Sequence, residues 1–267
     1  MERITRRDLF AQSGRLAGVM AVGLPLAEAG DKGTAGAEHK QKVIVVGGHP
    51  DDPESGAGGT MARYAHLGHD VVALYLTRGE AGIEGKSHQE AAAIRTAECQ
   101  KACEILKARP VFAGQVDGST EINAARYGDF RRIIQAERPD IVFTHWPIDS
   151  HRDHRAASLL TYDAWLNGGK KFSLYYFEVL TGEQSQAFLP HYYVDISDAE
   201  PRKRAACFAH ASQDPAGFYR VHALMNQFRG MECGVKYAEA FVCHPQNPNQ
   251  GLTSSLEDRE APADRSK

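Results

Sequence analysis

Positions 49–52, His49-Pro50-Asp51-Asp52, combine an imidazole with two carboxylates shortly after the apolar run 43–46. A second cluster, THWPIDSHRDHRAAS, carries His151 and His154 three residues apart. Residues at this spacing share one face of a helix, so both imidazoles can reach one point in space. Neutral nitrogen and anionic oxygen donors suit Zn²⁺ with one position left for water. The two clusters therefore predict a catalytic metal centre.

Each of these residues also has a purely structural interpretation. A lone histidine is most often a hydrogen-bonded core or surface residue, and we interpret His66, His69 and His222 in that way. The segment 52–54 suits the start of a helix, with proline in the first turn and acids near the positive end of the helix dipole. The combination of the two clusters is what favours the metal centre.

The alternation of short β-branched or aromatic runs with helical patterns predicts the elements that position the clusters. The predicted strands are 43–46, 70–77, 111–112, 141–144, 172–179 and 192–196, and the predicted helices are 56–67, 88–106, 122–137 and 155–166. This rhythm requires right-handed crossovers and a mostly parallel sheet covered on both faces. The predicted fold class is α/β, a three-layer αβα sandwich with Rossmann-like strand order in its first half.

Ligands of such sheets bind beyond the carboxyl ends of the strands. The residues that follow the first four predicted strands are 49–52, 78–82, 117–118 and 145–154. Every unusual polar cluster of the chain lies in these loops. The functional site is therefore expected at this one edge of the sheet.

The composition limits the class of partner. The chain has 267 residues, 42% of them hydrophobic, and a formal net charge of −3. Nothing in this charge favours nucleic acid or an anionic membrane surface, so a small molecule or a glycan is the expected partner. Five cysteines without a C-x-x-C pair argue against a dense disulfide framework and against a thiolate zinc site.

The first 29 residues resemble a twin-arginine signal peptide. Arg6-Arg7 precedes the apolar stretch 16–26, which is too short to span a bilayer, and Ala27-Glu28-Ala29 has the small-x-small pattern of a cleavage site. We therefore expect a periplasmic or secreted protein with no membrane anchor; a short amphipathic helix is the alternative. Residues 30–41 are expected to form a linker and 245–267 a disordered tail, which leaves a domain at 42–244.

Several segments together resemble the PIG-L/LmbE-like family of zinc-dependent N-acetylglucosaminyl de-N-acetylases. The specific pair is HPDDPESGAGGT and HRDHRAA; weaker matches are TRGEAG (77–82), Arg95 with Glu98, Asp117-Gly118, VDISD (194–198), HASQ (210–213) and YAEAF (237–241). The resemblance implies a hydrolase that removes the acetyl group from an N-acetylglucosamine-type compound. Because relatives are often oligomers, it also implies a homo-oligomer.

The resemblance assigns the central roles. It makes His49, Asp52 and His154 the zinc ligands, with Fe²⁺ as the alternative metal. Asp51 becomes the general base that deprotonates the attacking water and later protonates the amine. His151 becomes the cation or donor that stabilises the oxyanion. The spacing alone does not distinguish which of His151 and His154 binds the metal.

Arg95 and Asp117 are the substrate-binding residues that the resemblance implies. The alternative for Arg95 is a weak ion pair with Glu98 on the same helix, and the alternative for Asp117 is a plain turn. The chain departs from the family where a glutamate commonly follows HPDD, because Pro53 stands there and Glu54 comes next. The substrate or supporting contact attributed to that glutamate is therefore open.

Two other functions stay open on the residues alone. An amidase of the same fold that acts on a non-sugar amide would have an aromatic wall in its pocket, and Trp146 and Tyr176 fit either substrate. A catalytically silent carbohydrate-binding relative is disfavoured because a binder does not need Asp51 beside a metal set. Nucleotide binding is disfavoured because no G-x-G-x-x-G follows the first strand.

Overall fold

The structure is a computed structural model that describes residues 40–248. The expected signal peptide at 1–29, nearly all of the linker and the tail beyond 248 lie outside the described residues. None of the helices in the described part has the length and hydropathy of a membrane span.

Seven strands and six α-helices make up the described part of the chain. The strands are β1 (Lys42–Gly47), β2 (Asp70–Tyr75), β3 (Arg109–Phe112), β4 (Ile141–His145), β5 (Ser173–Phe177), β6 (Tyr192–Asp195) and β7 (Ala238–Cys243). The helices are α1 (Asp52–His66), α2 (His88–Leu106), α3 (Ala124–Glu137), α4 (Arg152–Asn167), α5 (Glu200–Phe208) and α6 (Pro215–Cys233), and a 3₁₀ turn spans Ala211–Gln213.

The strands form one sheet in the order β3-β2-β1-β4-β5-β7-β6. Neighbours from β3 to β5 pair in parallel, whereas β7 pairs antiparallel with both β5 and β6. The chain moves outward from β1 to β3 and then returns to β4 on the other side of β1. The predicted Rossmann-like order is confirmed, and the point where the order reverses lies between β1 and β4.

The sheet is buried on both faces. Along β1, Val43 and Val45 pack into one core with α1 and α2, and Ile44 and Val46 pack into the other with α3 and α4. Because successive strand side chains point to opposite faces, a continuous apolar run such as 43–46 fits a strand covered on both sides. The predicted three-layer sandwich is confirmed.

Two helices begin earlier than predicted. Helix α1 begins at Asp52 instead of Gly56, with proline in its first turn, and α4 begins at Arg152 instead of Arg155, with His151 as its N-cap. Polar residues in these first turns obscure the helical periodicity. The shift brings the polar clusters onto the helix N-termini that follow β1 and β4.

The sequence patterns did not predict α5, α6 or β7. Strand β7 reads AEAFVC, and alanine and glutamate are poor strand formers. Its place in the sheet comes from non-local pairing with β5 and β6. The folded part also extends past 244, because the buried Asn247 exchanges hydrogen bonds of 2.8 and 3.0 Å with the backbone of Leu174.

Candidate active site

Asp51 lies in the turn between β1 and α1 and has a strained backbone. Its φ of 115° and ψ of −30° lie in a region that residues with a Cβ atom rarely adopt. Such conformations cost about 1–3 kcal/mol and persist where the surroundings hold them. The strain separates the direction of the Asp51 side chain from that of Asp52.

Two glycines allow the end of β1 to pack closely against the site. A Cβ atom on Gly47 would lie 2.5 Å from Cδ of Pro53, and one on Gly48 would lie 3.1 Å from Cδ2 of His154. Any side chain at Gly47 would therefore displace the first turn of α1. These contacts explain why two glycines precede the histidine.

The carboxylate of Asp52 is the centre of a buried group of imidazoles. Its Oδ1 lies 3.3 Å from Nε2 of His154, and its Oδ2 lies 3.3 Å from Nε2 of His145 and 3.2 Å from Nδ1 of His49. All four side chains are buried. One carboxylate and three imidazoles form a potential site for a divalent metal.

His145 is the member of this group that sequence reasoning missed. It is the last residue of β4, its ring stacks on that of His154 at 4.0 Å, and its Nε2 accepts a hydrogen bond from the backbone N–H of Gly48. The sequence feature that could have identified His145 as a site residue was its position at the carboxyl end of a strand, four residues before Asp149. That position alone does not distinguish a ligand from a core histidine.

The charges of the group fit a bound cation. Burial opposes the charge of Asp52, but His154 and His145 hold the pKa of Asp52 well below its usual range. Burial also opposes the charge of His154, yet Asp52 and Asp149 raise the pKa of His154 to about 9. Burial lowers the pKa of His145 to about 4. A positive charge is therefore stabilised between Asp52 and His154, which is what a metal ion at this point requires.

The other nitrogen of His49 faces two aspartates from neighbouring loops. Its Nε2 lies 3.3 Å from Oδ1 of Asp117 and 3.2 Å from Oδ2 of Asp153. Asp153 also accepts hydrogen bonds from the backbone of Gly118 and the hydroxyl of Thr120. The structure thus brings Asp117 to the site as expected, and it adds Asp153, which lies between the two histidines of the HRDH motif.

Arg95 contacts the candidate base. Its Nη2 donates to Oδ2 of Asp51 at 2.8 Å and to the carbonyl of Pro50, and the residue is 3% exposed. The alternative ion pair with Glu98 is not formed, because Glu98 accepts two hydrogen bonds of 2.7 Å from Ser212. Burial and the charge of Asp52 raise the pKa of Asp51 against the opposing effect of Arg95. A base with a raised pKa results.

His151 caps α4 and lines the cavity. Its Nδ1 accepts a hydrogen bond of 3.3 Å from the backbone N–H of Asp153, which leaves the proton on Nε2. Burial and the neighbouring His49 and His154 lower the pKa of His151. The structure therefore favours a neutral donor at this position over the cation that was the other expectation.

Glu54 does not reach the cavity. Its carboxylate is fully buried behind the site, where the Tyr75 hydroxyl donates to it at 2.5 Å and Nε2 of His210 lies 3.5 Å away. Glu54 therefore does not line the cavity, and its carboxylate instead contacts Tyr75 and His210.

The site opens into a cavity of about 420 Å³. One wall carries the residues described above, including Asp51, Asp117 and His151. The facing residues come from later in the chain and are Val179, Leu180, Gln184, Gln213, Phe218 and His222. A cavity of this size accepts a small organic ligand.

An α/β sandwich with a His/Asp donor set and a separate carboxylate base at the carboxyl edge of its sheet defines a hydrolase with a candidate metal centre. The chain belongs to the PIG-L family: the family model described as GlcNAc-PI de-N-acetylase matches residues 44–165. It is 33% identical over 222 residues to the diacetylchitobiose deacetylase of Thermococcus kodakarensis, an alignment that covers 74% of this chain and 81% of that protein.

Solved structures show the same similarity. The N,N'-diacetylchitobiose deacetylase from Pyrococcus horikoshii superposes with a TM-score of 0.68 and 25% identity over 80% of this chain and 89% of that chain. The 4-carboxy-2-hydroxymuconate hydratase GalB from Pseudomonas putida reaches 0.69 at 21% identity, covering 80% of this chain and all of that one, which shows a shared fold. The deacetylase homologues place this chain among the hydrolytic de-N-acetylases.

Proposed function

We propose that the protein removes the N-acetyl group from an N-acetylglucosamine-type amino sugar or glycoconjugate. The observation that carries the proposal is the position of Asp51. Its backbone is strained, and its carboxylate lies beside the His/Asp donor set and is held by Arg95. A binding protein has no need of a base at this position. The deacetylase names of its relatives support an amide of an amino sugar as the substrate.

His49, Asp52 and His154 would hold the metal, and His145 packs against them as a further nitrogen donor. This set of nitrogen and carboxylate donors suits Zn²⁺, with Fe²⁺ as the alternative. When bound, the metal supplies a Lewis acid and lowers the pKa of a water molecule.

Asp51 takes the proton from the attacking water and delivers it to the amine that leaves. Its raised pKa suits both steps, because a base must hold the proton between them. Arg95 fixes the direction of the carboxylate through Nη2. We therefore assign Arg95 first to the positioning of Asp51 and second to the wall of the cavity.

His151 donates through Nε2–H to the oxygen that becomes negative in the tetrahedral intermediate. Removal of one such donor typically costs about 3 kcal/mol of transition-state stabilisation. Asp117 accepts a hydrogen bond from a sugar hydroxyl. Its carboxylate is supported for this by the backbone N–H of Ala81 at 3.2 Å and by His49.

The test is metal content and acetate release with one preparation of the chain, incubated with N-acetylglucosamine and chitooligosaccharides, with Asp51→Asn as control. We expect about one zinc or iron per chain, acetate from at least one sugar, and no acetate from the variant, which keeps its metal. Metal without acetate would indicate the non-sugar amide instead. A chain that binds no metal would overturn the site assignment.

We also propose export through the signal at 1–29, which supports a substrate outside the cytoplasm such as cell-wall fragments or exopolysaccharide. Replacement of Arg6 and Arg7 by lysine should leave the protein in the cytoplasmic fraction, since the twin arginines are the part read by the receptor. Export of the double-lysine variant at the normal level would contradict the proposal.

A further inference from the structure

The loop that follows β5 forms part of the cavity wall, and we call residues 178–186 the cavity loop. Val179, Leu180 and Gln184 of this loop line the cavity. The loop lies beyond the segment 44–165 that the family model matches, so the family match assigns it no role. Its contacts with the rest of the site show what that role is.

Ser185 anchors the cavity loop and is fully buried. Its hydroxyl accepts a hydrogen bond of 3.0 Å from the backbone N–H of Val179 and donates one of 3.0 Å to Oδ2 of Asp149. A serine hydroxyl has a single proton and an ionised carboxylate only accepts, so the direction of both bonds is fixed. The backbones of Asp149 and Ser185 also form an antiparallel bridge. Side chain and backbone thus hold the loop to Asp149.

The other oxygen of the Asp149 carboxylate contacts one of the residues assigned to the metal. Oδ1 of Asp149 lies 3.2 Å from Nδ1 of His154, and it also accepts a hydrogen bond of 2.8 Å from the backbone N–H of His151. Because the carboxylate only accepts, Nδ1 of His154 is the donor, and Nε2 is the nitrogen left for a metal. Carboxylates in this position orient a metal-binding imidazole and raise its basicity.

The direction of the Asp149 carboxylate depends on Ser185. Within residues 40–248, the Ser185 hydroxyl is the one group that donates a hydrogen bond to Oδ2 of Asp149. The side chain of Asp149 is 0% exposed, so bulk water does not replace this donor. A buried carboxylate that loses a hydrogen bond turns toward other donors or becomes mobile. Either change would move the acceptor of His154.

We infer that Ser185 is a positioning residue of the metal centre. Its hydroxyl fixes the Asp149 carboxylate, and Asp149 fixes the ring of His154. Ser185 does not line the cavity and acts only through these two hydrogen bonds. The inference rests on the proposed metal centre, and it adds a residue from outside the segment that the family model matches. It also means that the cavity loop and His154 are held by the same carboxylate.

The test is the zinc affinity of the full chain, measured by competition with a chelator. Ser185→Ala should weaken zinc binding about 10- to 100-fold, the range typical of lost contacts behind a metal-binding histidine. Co²⁺ bound in place of zinc reports the ligand geometry, and its visible absorption spectrum should change in the same variant. Ser150→Ala is the matched control, because the exposed Ser150 hydroxyl donates to the carbonyl of Glu183 in the same loop without touching the Asp149 carboxylate. It should bind zinc as the native chain does.

A double-mutant cycle tests whether Ser185 acts through Asp149. Asp149→Ala should weaken zinc binding at least as much as Ser185→Ala does. The two changes together should cost no more affinity than Asp149→Ala alone, because both act on one carboxylate. Losses that add in the double variant would overturn the inference.

Two further outcomes would also overturn it. Native zinc affinity in Ser185→Ala would show that the hydroxyl does not position His154. Equal weakening in Ser185→Ala and Ser150→Ala would show that any loosening of the cavity loop has the same effect, and that Ser185 has only a structural role. A native chain that binds no zinc would instead overturn the proposed metal centre itself, which separates the two failures.

Discussion

At the scale of single residues, the strained backbone of Asp51 orients two neighbouring carboxylates in different directions. Its positive φ turns the carboxylate toward Arg95, while the next residue, Asp52, turns toward His49, His145 and His154. Two adjacent carboxylates thereby serve different partners. The strained turn is thus the reason that a base and a ligand can be neighbours in sequence.

Glycine should be more stable than alanine at position 51, the reverse of the usual order. Both variants remove the carboxylate, so Arg95 loses its partner equally in each. Only alanine retains the strain of a Cβ atom at φ 115°. The free energy of unfolding of the Asp51→Gly variant should be higher than that of the Asp51→Ala variant by about 1 kcal/mol or more, as measured by chemical denaturation. An alanine variant of equal or greater stability would show that the turn is unstrained.

His151→Asn separates the capping role of His151 from its chemical role. Asparagine is a good N-cap, so the variant should keep its stability and its metal. It lacks the Nε2–H donor, and kcat should therefore fall about 10²- to 10³-fold with little change in KM. Steady-state kinetics and metal analysis on one sample check this. Normal turnover would remove His151 from the reaction.

Much of the site was predictable from residue types. Five of its residues stand in two dense motifs, and Arg95 and Asp117 follow from the resemblance. The contact of Arg95 with Asp51 was not predictable, because it joins residues 44 positions apart. His145 and Asp153 were missed because a single histidine at a strand end and an aspartate at a helix start are common structural features.

At the scale of elements, α1 depends on a buried charge from the other end of the chain. Helix α1 is broken at Ala57, and the backbone N–H groups of Gly59 and Thr60 just after the break donate to Glu239 at 2.8 and 2.7 Å. Glu239 also pairs with the buried Lys203 at 2.7 Å. Strand β7 and helix α5 thus hold the helix that carries Asp52.

Removal of this carboxylate should be severe. Glu239→Ala leaves two buried backbone donors without their acceptor, and it leaves the Lys203 ammonium with the amide oxygen of Asn226 at 3.3 Å but no carboxylate. We expect a loss of about 3–5 kcal/mol in free energy of unfolding. Asp129→Ala, which removes an exposed ion pair with Arg132, is the matched control and should change stability by less than about 0.5 kcal/mol. Equal losses in the two variants would contradict the buried role.

The order of elements was predictable through β6, and β2, α2 and α3 lie within a few residues of their predicted limits. The capping box of Ser87 and Glu90 marks the start of α2. The C-terminal elements escaped prediction because their stability depends on partners distant in sequence. Glu239 is an example, since a buried charge in a strand contradicts the usual pattern.

At the scale of the whole molecule, His222 couples stability to pH. Its pKa in the folded chain is lowered to about 3, so below pH 6.5 the unfolded chain takes up a proton that the folded chain does not. Stability should therefore fall by about 1.4 kcal/mol per pH unit on its account as the pH drops from 6.5 toward 3. His222→Gln should flatten the pH dependence of the unfolding free energy measured from pH 7 to 4.5.

The exposed His66 supplies the control for this experiment. His66→Gln should leave the pH dependence of the unfolding free energy parallel to that of the native chain. Parallel curves for His222→Gln would show instead that His222 is protonated in the folded state, contrary to its lowered pKa.

The position of β7 also determines when the sheet can be completed during synthesis of the chain. Strand β7, the last strand within residues 40–248, inserts between β5 and β6, which leave the ribosome earlier. Until residues 238–243 emerge, both strands present open edges, and Lys203 has no carboxylate to pair with. A nascent chain that lacks β7 therefore cannot complete the sheet between β5 and β6. The pairing of β5 and β6 with β7, and the Lys203–Glu239 ion pair that supports α1, therefore form only after residues 238–243 have emerged.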